Sequence, residues 1–154
     1  MVHIEAVGPV LENGWWKELT KLYLKENLGQ EFTIHCWKDE EAAAELALCH
    51  GKIKPVDWAY GVAVTGTVTE AFAAFLLEQS QFQEEGPDSG AMMTPFFGVF
   101  LGSSFSSSHY GREIDVEPIP GARGAELRAL LENLAQKDWL TVYDCDGLVY
   151  PQQT

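Results

Sequence analysis

Segments in which every second residue is apolar alternate along this chain with segments in which apolar residues recur every three or four positions. The first spacing is that of a half-buried β-strand, and the second is that of an amphipathic helix. In residues 31–37 (EFTIHCW), for example, Phe32, Ile34 and Cys36 would point to one side of a strand. Elements that are each apolar on one side must pack against one another, which favours a sheet covered by helices.

The order of these segments predicts the fold class. Strands are expected in the regions 3–11, 31–37, 58–68, 95–101, 112–119 and 139–150. Helices are expected at 13–28, 38–51, 67–79 and 120–137. The paired strands at 95–118 and 139–150 indicate that part of the sheet is antiparallel. We therefore expect an α+β (mixed α/β) fold, a single globular domain over 1–154, with one partly antiparallel sheet covered by about four amphipathic helices.

Local signals predict where these elements begin and where the loops lie. Asn13 is expected to cap the first helix, and Thr67 followed by Glu70 fits a capping box for the third. Residues 83–94 are rich in Gly, Glu, Pro, Asp and Ser and predict an exposed loop. The Ser- and Gly-rich stretch 102–108 predicts a second loop.

The formal net charge of −13 constrains the partners of the chain. It disfavours nucleic acid and anionic membranes, which an acidic protein repels, and it favours a basic protein partner. Acidity that serves only solubility is the alternative. From 55 to 111 there is no lysine or arginine, so the carboxylates in that region have no basic neighbours in sequence.

The N-terminal residues and the cysteines bear on the compartment. Residues 1–14 have no basic region followed by a continuous apolar run, and no segment approaches the ~20 apolar residues that span a bilayer. The three cysteines have no repeating spacing and do not suggest a disulfide framework. We therefore expect a cytoplasmic protein with reduced thiols and no contact with membranes.

Two pairs of neighbouring residues, His35 with Cys36 and Cys49 with His50, contain side chains that bind zinc. On a strand, however, His35 and Cys36 would point to opposite sides. The chain also lacks a phosphate-binding loop with its lysine, a Gly-x-Ser-x-Gly elbow and a His-Glu-x-x-His motif. We expect no metal site and no cofactor, and the missing motifs favour a protein without catalytic activity.

The segment REIDVEP (112–118) places Glu113, Asp115 and Glu117 on one side of a predicted strand, about 7 Å apart. Three carboxylates at this spacing repel one another unless something offsets their charge. Solvent, Arg112, lysines from an adjacent strand, a divalent cation or a basic partner would each do so.

These features favour a small acidic protein that binds and neutralises a basic protein partner, as an immunity or inhibitor protein does with a toxin or nuclease. Nucleases are basic because they hold phosphate backbones. The general profile is similar to that of bacterial toxin-immunity proteins. The expected contact residues are acidic or aromatic and lie in or near 109–117 and in the DCDG turn: His109, Tyr110, Glu113, Asp115, Glu117, Asp144 and Asp146.

The alternative hypothesis is a small-molecule-binding protein or an enzyme. Its site would lie between the sheet and loop 83–94 and would use His35, Cys36 or His109. A deep pocket with converging polar groups would favour this alternative. A third possibility, a subunit of a homo-oligomer, would be indicated by a large exposed apolar patch.

Overall fold

The computed structural model describes residues 1–147 and shows an α+β fold. The strands are β1 (Val2–Ala6), β2 (Glu31–Trp37), β3 (Lys52–Lys54), β4 (Gly61–Thr67), β5 (Gly98–Leu101), β6 (Phe105–Ser108), β7 (Glu113–Val116) and β8 (Leu140–Asp144). The helices are α1 (Gly14–Glu26), α2 (Glu41–Leu48), α3 (Glu70–Gln79) and α4 (Ala122–Leu134). A single 3-10 turn, His109–Gly111, joins β6 to β7.

The eight strands form one sheet in the order β3-β4-β2-β5-β6-β7-β1-β8. The predicted fold class is confirmed. All pairings among the described strands are antiparallel, so the sheet is more uniform than the partly antiparallel one expected. The N-terminal strand β1 lies between β7 and β8, which brings the start of the chain beside residues more than a hundred positions away.

The helices pack on one face of the sheet, and the core lies between the two layers. Phe32 and Ile34 of β2 are fully buried, and the ring of Phe32 stacks on that of Phe72 in α3 with centroids 3.8 Å apart. On α4, Leu127 and Leu131 are buried one helical turn apart, as their spacing predicts. Each large apolar side chain buried in this way contributes about 1.5–3 kcal/mol to stability.

The side chains that alternate with this core point to the other face of the sheet, which we call the open face. On β2 these are Thr33, His35 and Trp37, each only partly buried. The same alternation places Glu113 and Asp115 of β7 on the open face, while Ile114 and Val116 are buried. The predicted grouping of the β7 carboxylates on one side is therefore confirmed.

Of the two predicted helix caps, one holds in position and one is wrong. Asn13 is the N-cap residue of α1, as predicted, but its side chain makes no capping bond; the side-chain amide is buried and donates to the carbonyl oxygens of Ser80 and Met93, each at 2.9 Å. The cap of α3 is Thr69, whose hydroxyl accepts from the amide of Phe72 at 3.0 Å, because Thr67 is still paired in β4. A buried amide is worth more as a link between elements than as a cap exposed to water.

The second predicted loop is partly wrong, because residues 105–108 form the strand β6 between β5 and β7. Ser107 is fully buried, and its hydroxyl accepts a hydrogen bond from Nε1 of Trp16 at 3.1 Å. Two flanking strands satisfy the backbone of β6, which outweighs the low strand preference of a serine run. Within residues 1–147, no helix is both long and apolar enough to cross a membrane.

Candidate functional site

Four carboxylates form a strip along β7 and β1 on the open face. We call this set, Glu5, Glu113, Asp115 and Glu117, the acidic strip. Glu5 lies directly opposite Glu113 in the antiparallel pairing, so two like charges are cross-strand neighbours. Such a pair opposes folding by roughly 0.2–1 kcal/mol.

The strands next to the acidic strip supply no lysine that could pair with its carboxylates. Across from β7 on the other side lie Ser106 and Ser108 of β6, and across from β1 lie Thr141 and Tyr143 of β8. The strands β1, β6, β7 and β8 contain no lysine or arginine at all. The register therefore contradicts the expectation that cross-strand lysines might offset these charges.

Two histidines and the N-terminal amino group lie against the strip instead. Nδ1 of His3 is 2.8 Å from Oδ1 of Asp115, and Nδ1 of His109 is 3.0 Å from Oε2 of Glu113. The N-terminal nitrogen is 3.9 Å from Oε2 of Glu117. A histidine offsets a carboxylate charge only when its ring is protonated, so the strip keeps most of its negative charge whenever these rings are neutral.

His3 makes the charge of the strip depend on pH. Partial burial lowers the pKa of His3, but hydrogen bonds to Asp115 and Glu5 and the charges of these two groups outweigh the burial, so the pKa is raised. Nε2 of the same ring is 3.5 Å from Oε2 of Glu5, so His3 bridges both strands of the strip. Protonation of this ring removes one unit of negative charge from the middle of the face.

Of the predicted contact residues outside the strip, two are unsuited to contact. Asp144 is 1% exposed, and its Oδ1 accepts from the backbone amides of Asp146 and Gly147, which closes the turn. Tyr110 is 3% exposed, and its hydroxyl donates to Oε2 of Glu40 at 2.9 Å. Turn closure and burial explain both corrections, whereas His109 and Asp146 are exposed as expected.

Aromatic side chains occupy the other half of the open face. We call His35, Trp37, Trp58, Phe97 and Phe100 the aromatic cluster. Ring centroids lie 4.8 Å apart for Trp37 and Trp58, 5.1 Å for Trp37 and Phe97, and 4.9 Å for His35 and Phe100. All five side chains remain partly exposed. An exposed group of rings of this kind is typical of interfaces.

A glycine allows the cluster to lie close to the sheet. Trp58 belongs to the connection between β3 and β4 and folds back over Gly61. A Cβ atom at position 61 would lie 1.8 Å from Cε3 of Trp58, so any larger residue would displace the indole. Burial lowers the pKa of the neighbouring His35, and the nearby charge of Lys54 lowers it further.

The cysteine and histidine pairs do not come together. Cys36 is buried on the helix-covered face, where burial, with a smaller effect of the Glu40 charge, raises the pKa of its thiol to about 12. His35 points to the open face, as the alternation predicted. The ring of His50 packs at 4.5 Å from that of Phe75 on the helix side. Within residues 1–147 no group of three His, Cys, Asp or Glu side chains is arranged to hold a metal ion.

A cleft of about 630 Å³ lies between the end of β2, the turn after β6 and loop 83–94. We call it the loop cleft. Its walls include three rings and three carboxylates, those of Trp37, Phe97, Tyr110, Asp39, Glu40 and Asp88. The alternative hypothesis placed a site in this region; His109 lines it, whereas His35 and Cys36 do not.

No protein-family model, curated protein or solved structure matches this chain.

Proposed function

We propose that this protein binds a basic protein through the open face of its sheet and thereby neutralises it, as a non-catalytic inhibitor or immunity-type protein. The observation that carries this proposal is the acidic strip, in which Glu5 faces Glu113 and no adjacent strand supplies a lysine or arginine. Charges that oppose folding in the free protein would be offset by cations of the partner.

The arrangement of the strip favours a protein partner over a metal ion. A divalent cation needs several oxygens that converge on one point. The carboxylates of the strip instead lie along the flat surface of two strands and are engaged by His3, His109 and the N-terminus. Cations spread over a similar length, such as lysines and arginines on a basic protein surface, match this spacing.

One register row connects the strip with the aromatic cluster. The residues that face each other across the eight strands, all on the open face, are Lys52, Thr65, Thr33, Phe100, Ser106, Asp115, His3 and Tyr143. Only β6 separates Phe100 from Asp115, about 10 Å in all. A single partner surface of ordinary size would cover both regions.

The test begins with the neighbouring gene, which we expect to encode a secreted protein with a basic C-terminal domain. That domain should be toxic when expressed alone and harmless when co-expressed with the full chain. The double variant Glu113→Lys with Asp115→Lys should lose this protection. The matched control, Glu126→Lys with Glu132→Lys, changes the net charge equally on the exposed side of α4 and should protect fully.

Equal loss of protection in both double variants would mean that only net charge matters, and it would contradict a binding role for the open face. Protection by the β7 double variant would contradict it as well. Circular dichroism of both variants must show a folded protein, since Asp115 also contacts His3.

The loop cleft favours the small-molecule alternative. Its volume of about 630 Å³ lies within the range of ligand sites. A thermal-shift screen of small metabolites separates the two hypotheses. Stabilisation that is abolished by Phe97→Leu and is unaffected by changes in the acidic strip would favour a small-molecule site.

A further inference from the structure

The loop cleft holds two carboxylates, Asp39 and Glu40, that form no ion pair with any residue the structure describes. Oε1 of Glu40 accepts from the backbone amide of Trp37, and Oε2 accepts from the hydroxyl of Tyr110, both at 2.9 Å and both from neutral donors. Within residues 1–147, neither Glu40 nor Asp39 takes part in an ion pair. The negative charge of both groups therefore remains available at the wall of the cleft.

Asp88 has a different role in the cleft. Its carboxylate pairs with the guanidinium of Arg112, whose Nε also donates to the backbone oxygen of His109 at 3.0 Å. This pair fastens loop 83–94 to the turn after β6. The charges left for a ligand are accordingly those of Asp39 and Glu40.

Burial and the negative charges of the cleft both raise the pKa of the Tyr110 hydroxyl. Burial raises its pKa, and the hydrogen bond to Glu40 and the charges of Glu40, Asp88 and Asp39 raise it further. The carboxylates of Glu40, Asp88 and Asp39 thus act on one hydroxyl, in agreement with their shared place in the lining of the cleft.

Aromatic rings form the apolar part of the cleft. The centroid of Phe97 is 5.1 Å from that of Trp37 and 5.4 Å from that of Tyr110, with interplanar angles of 61° and 81°. The partly exposed rings of Trp37 and Phe97 meet at a steep angle and offer faces in two directions, and the face of an aromatic ring attracts cations. Carboxylates beside such rings select a cation that gives up water easily.

The turn that carries Tyr110 holds it in an uncommon backbone conformation. His109 and Tyr110 have φ angles of 51° and 59°, in the left-handed region, and Gly111 follows with 88°. A Cβ atom at position 111 would lie 2.6 Å from Cβ of Met93, so the turn requires glycine there. Contacts around the turn keep this geometry and fix the position of the Tyr110 ring.

We propose that the loop cleft binds the guanidinium group of an arginine side chain that the basic partner presents. This inference rests on the proposed function and names the partner's central contact. Guanidinium is weakly hydrated, stacks on aromatic faces and forms paired hydrogen bonds with carboxylates, whereas the ammonium of lysine holds its water more strongly. Arginine is also among the residues enriched at the centres of interfaces.

The experiment titrates the full chain with N-acetyl-L-arginine amide and follows the amide and indole signals by two-dimensional NMR. Signals of Trp37 and of residues 109–111 should shift in a saturable way. N-acetyl-L-citrulline amide has the same shape without the charge, and it should bind at least about tenfold more weakly, as should N-acetyl-L-lysine amide.

Two variants test the carboxylates. Asp39→Asn removes an exposed charge that makes no hydrogen bond in the described structure, and Glu40→Gln removes the charge next to Tyr110. Each should weaken binding of the arginine amide by about three- to tenfold. The control Glu78→Gln, on the exposed side of α3, should leave binding unchanged. Because Asp39→Asn disturbs no packing, its result stands even if Glu40→Gln unfolds the chain.

Equal binding of the citrulline or lysine amide, or no saturable binding of the arginine amide, would overturn the inference. Affinity for the basic domain then separates the two proposals. If that domain binds wild type and the Asp39→Asn variant equally, the cleft proposal fails and the open-face proposal survives. If the arginine amide binds as expected but no basic domain is neutralised, the cleft is a guanidinium site and the proposed function fails.

Discussion

The acidic strip and the aromatic cluster lie on one face of one sheet, yet they are suited to different stages of binding. The charges of the strip are partly exposed and act over about a Debye length, so they would mainly raise the rate of association. The rings of the cluster act only in contact, so they would mainly slow dissociation. One surface can thus carry charges that speed the arrival of a partner and rings that slow its departure.

The two regions also differ in what holds them in place. The strip is positioned by strand register, with His3, His109 and the N-terminus as titratable neighbours. The cluster is positioned by contacts between rings and by the absence of a side chain at Gly61. Changes in pH and salt should therefore alter the contribution of the acidic strip to binding. Changes in side-chain volume should alter the contribution of the aromatic cluster.

The largest loss of affinity is expected when a ring of the aromatic cluster is removed. Trp58→Ala should weaken the complex with the basic domain by about 30-fold or more, almost entirely through faster dissociation, since buried tryptophans at interface centres contribute about 2 kcal/mol or more. Surface plasmon resonance measures both rates. Leu28→Ala, which truncates an exposed side chain after α1, is the control. A slower association with unchanged dissociation would break the distinction between the two regions.

A smaller loss of affinity, again because the Trp58 ring is affected, is expected from a substitution at Gly61. Gly61→Ala adds one methyl group that displaces the indole of Trp58 without changing any charge. Affinity should fall by about tenfold, and the association rate should stay within about twofold of wild type. Fluorescence of the displaced indole should change in the free protein. Unchanged fluorescence and affinity would show that the contact between Trp58 and β4 is unimportant.

A still smaller effect is expected from a change in the acidic strip, which should raise stability and at the same time weaken binding. Glu5→Gln removes one member of the like-charge pair with Glu113, so the free energy of unfolding in urea should rise by about 0.2–0.5 kcal/mol. Association with the basic domain should become slower at the same time. Glu132→Gln, on α4, should change neither quantity. In a His3→Gln background, where the contact between His3 and Glu5 is already removed, a loss of stability in Glu5→Gln would show that repulsion across the strands is absent.

The smallest expected effect is the pH dependence that His3 gives to stability and to association. Because its pKa is raised in the folded protein, its protonation stabilises the fold below the pKa of an unfolded histidine, and this contribution is lost as pH rises through the raised folded value. Urea unfolding at about pH 5.5 and about pH 8.5 should show that wild type exceeds His3→Gln in stability more at the lower pH. Association should be faster at the higher pH, where the strip is more negative. A difference that grows with pH would contradict the assignment.

Much of the open face could be predicted from local sequence. Alternation in EFTIHCW separated the buried Cys36 from the partly buried His35 on the open face, and alternation in REIDVEP placed Glu113 and Asp115 together. These predictions hold because the two-residue period of a strand is a local property. The run of serines before His109 misled because the pairing of β6 depends on β5 and β7.

The remaining parts of the site depend on contacts between distant residues. His3 and Glu5 join the strip only because β1 pairs with β7, and nothing in the first residues specifies that partner. The sequence predicts Asp144 as a contact residue, but its side chain closes its own turn. Glu40 falls in the first turn of the predicted helix 38–51, whereas the fold brings it to Tyr110, seventy positions away.

The salt dependence of the association rate tests the central claim most directly. Stopped-flow mixing of the full chain with the basic domain, over a series of salt concentrations, should give a steep decline for wild type and a shallow one for Glu113→Lys with Asp115→Lys. The control with the same net charge, Glu126→Lys with Glu132→Lys, should remain as steep as wild type. Equal slopes for the two double variants would contradict the account, because the charge would then act through its total and not through the acidic strip.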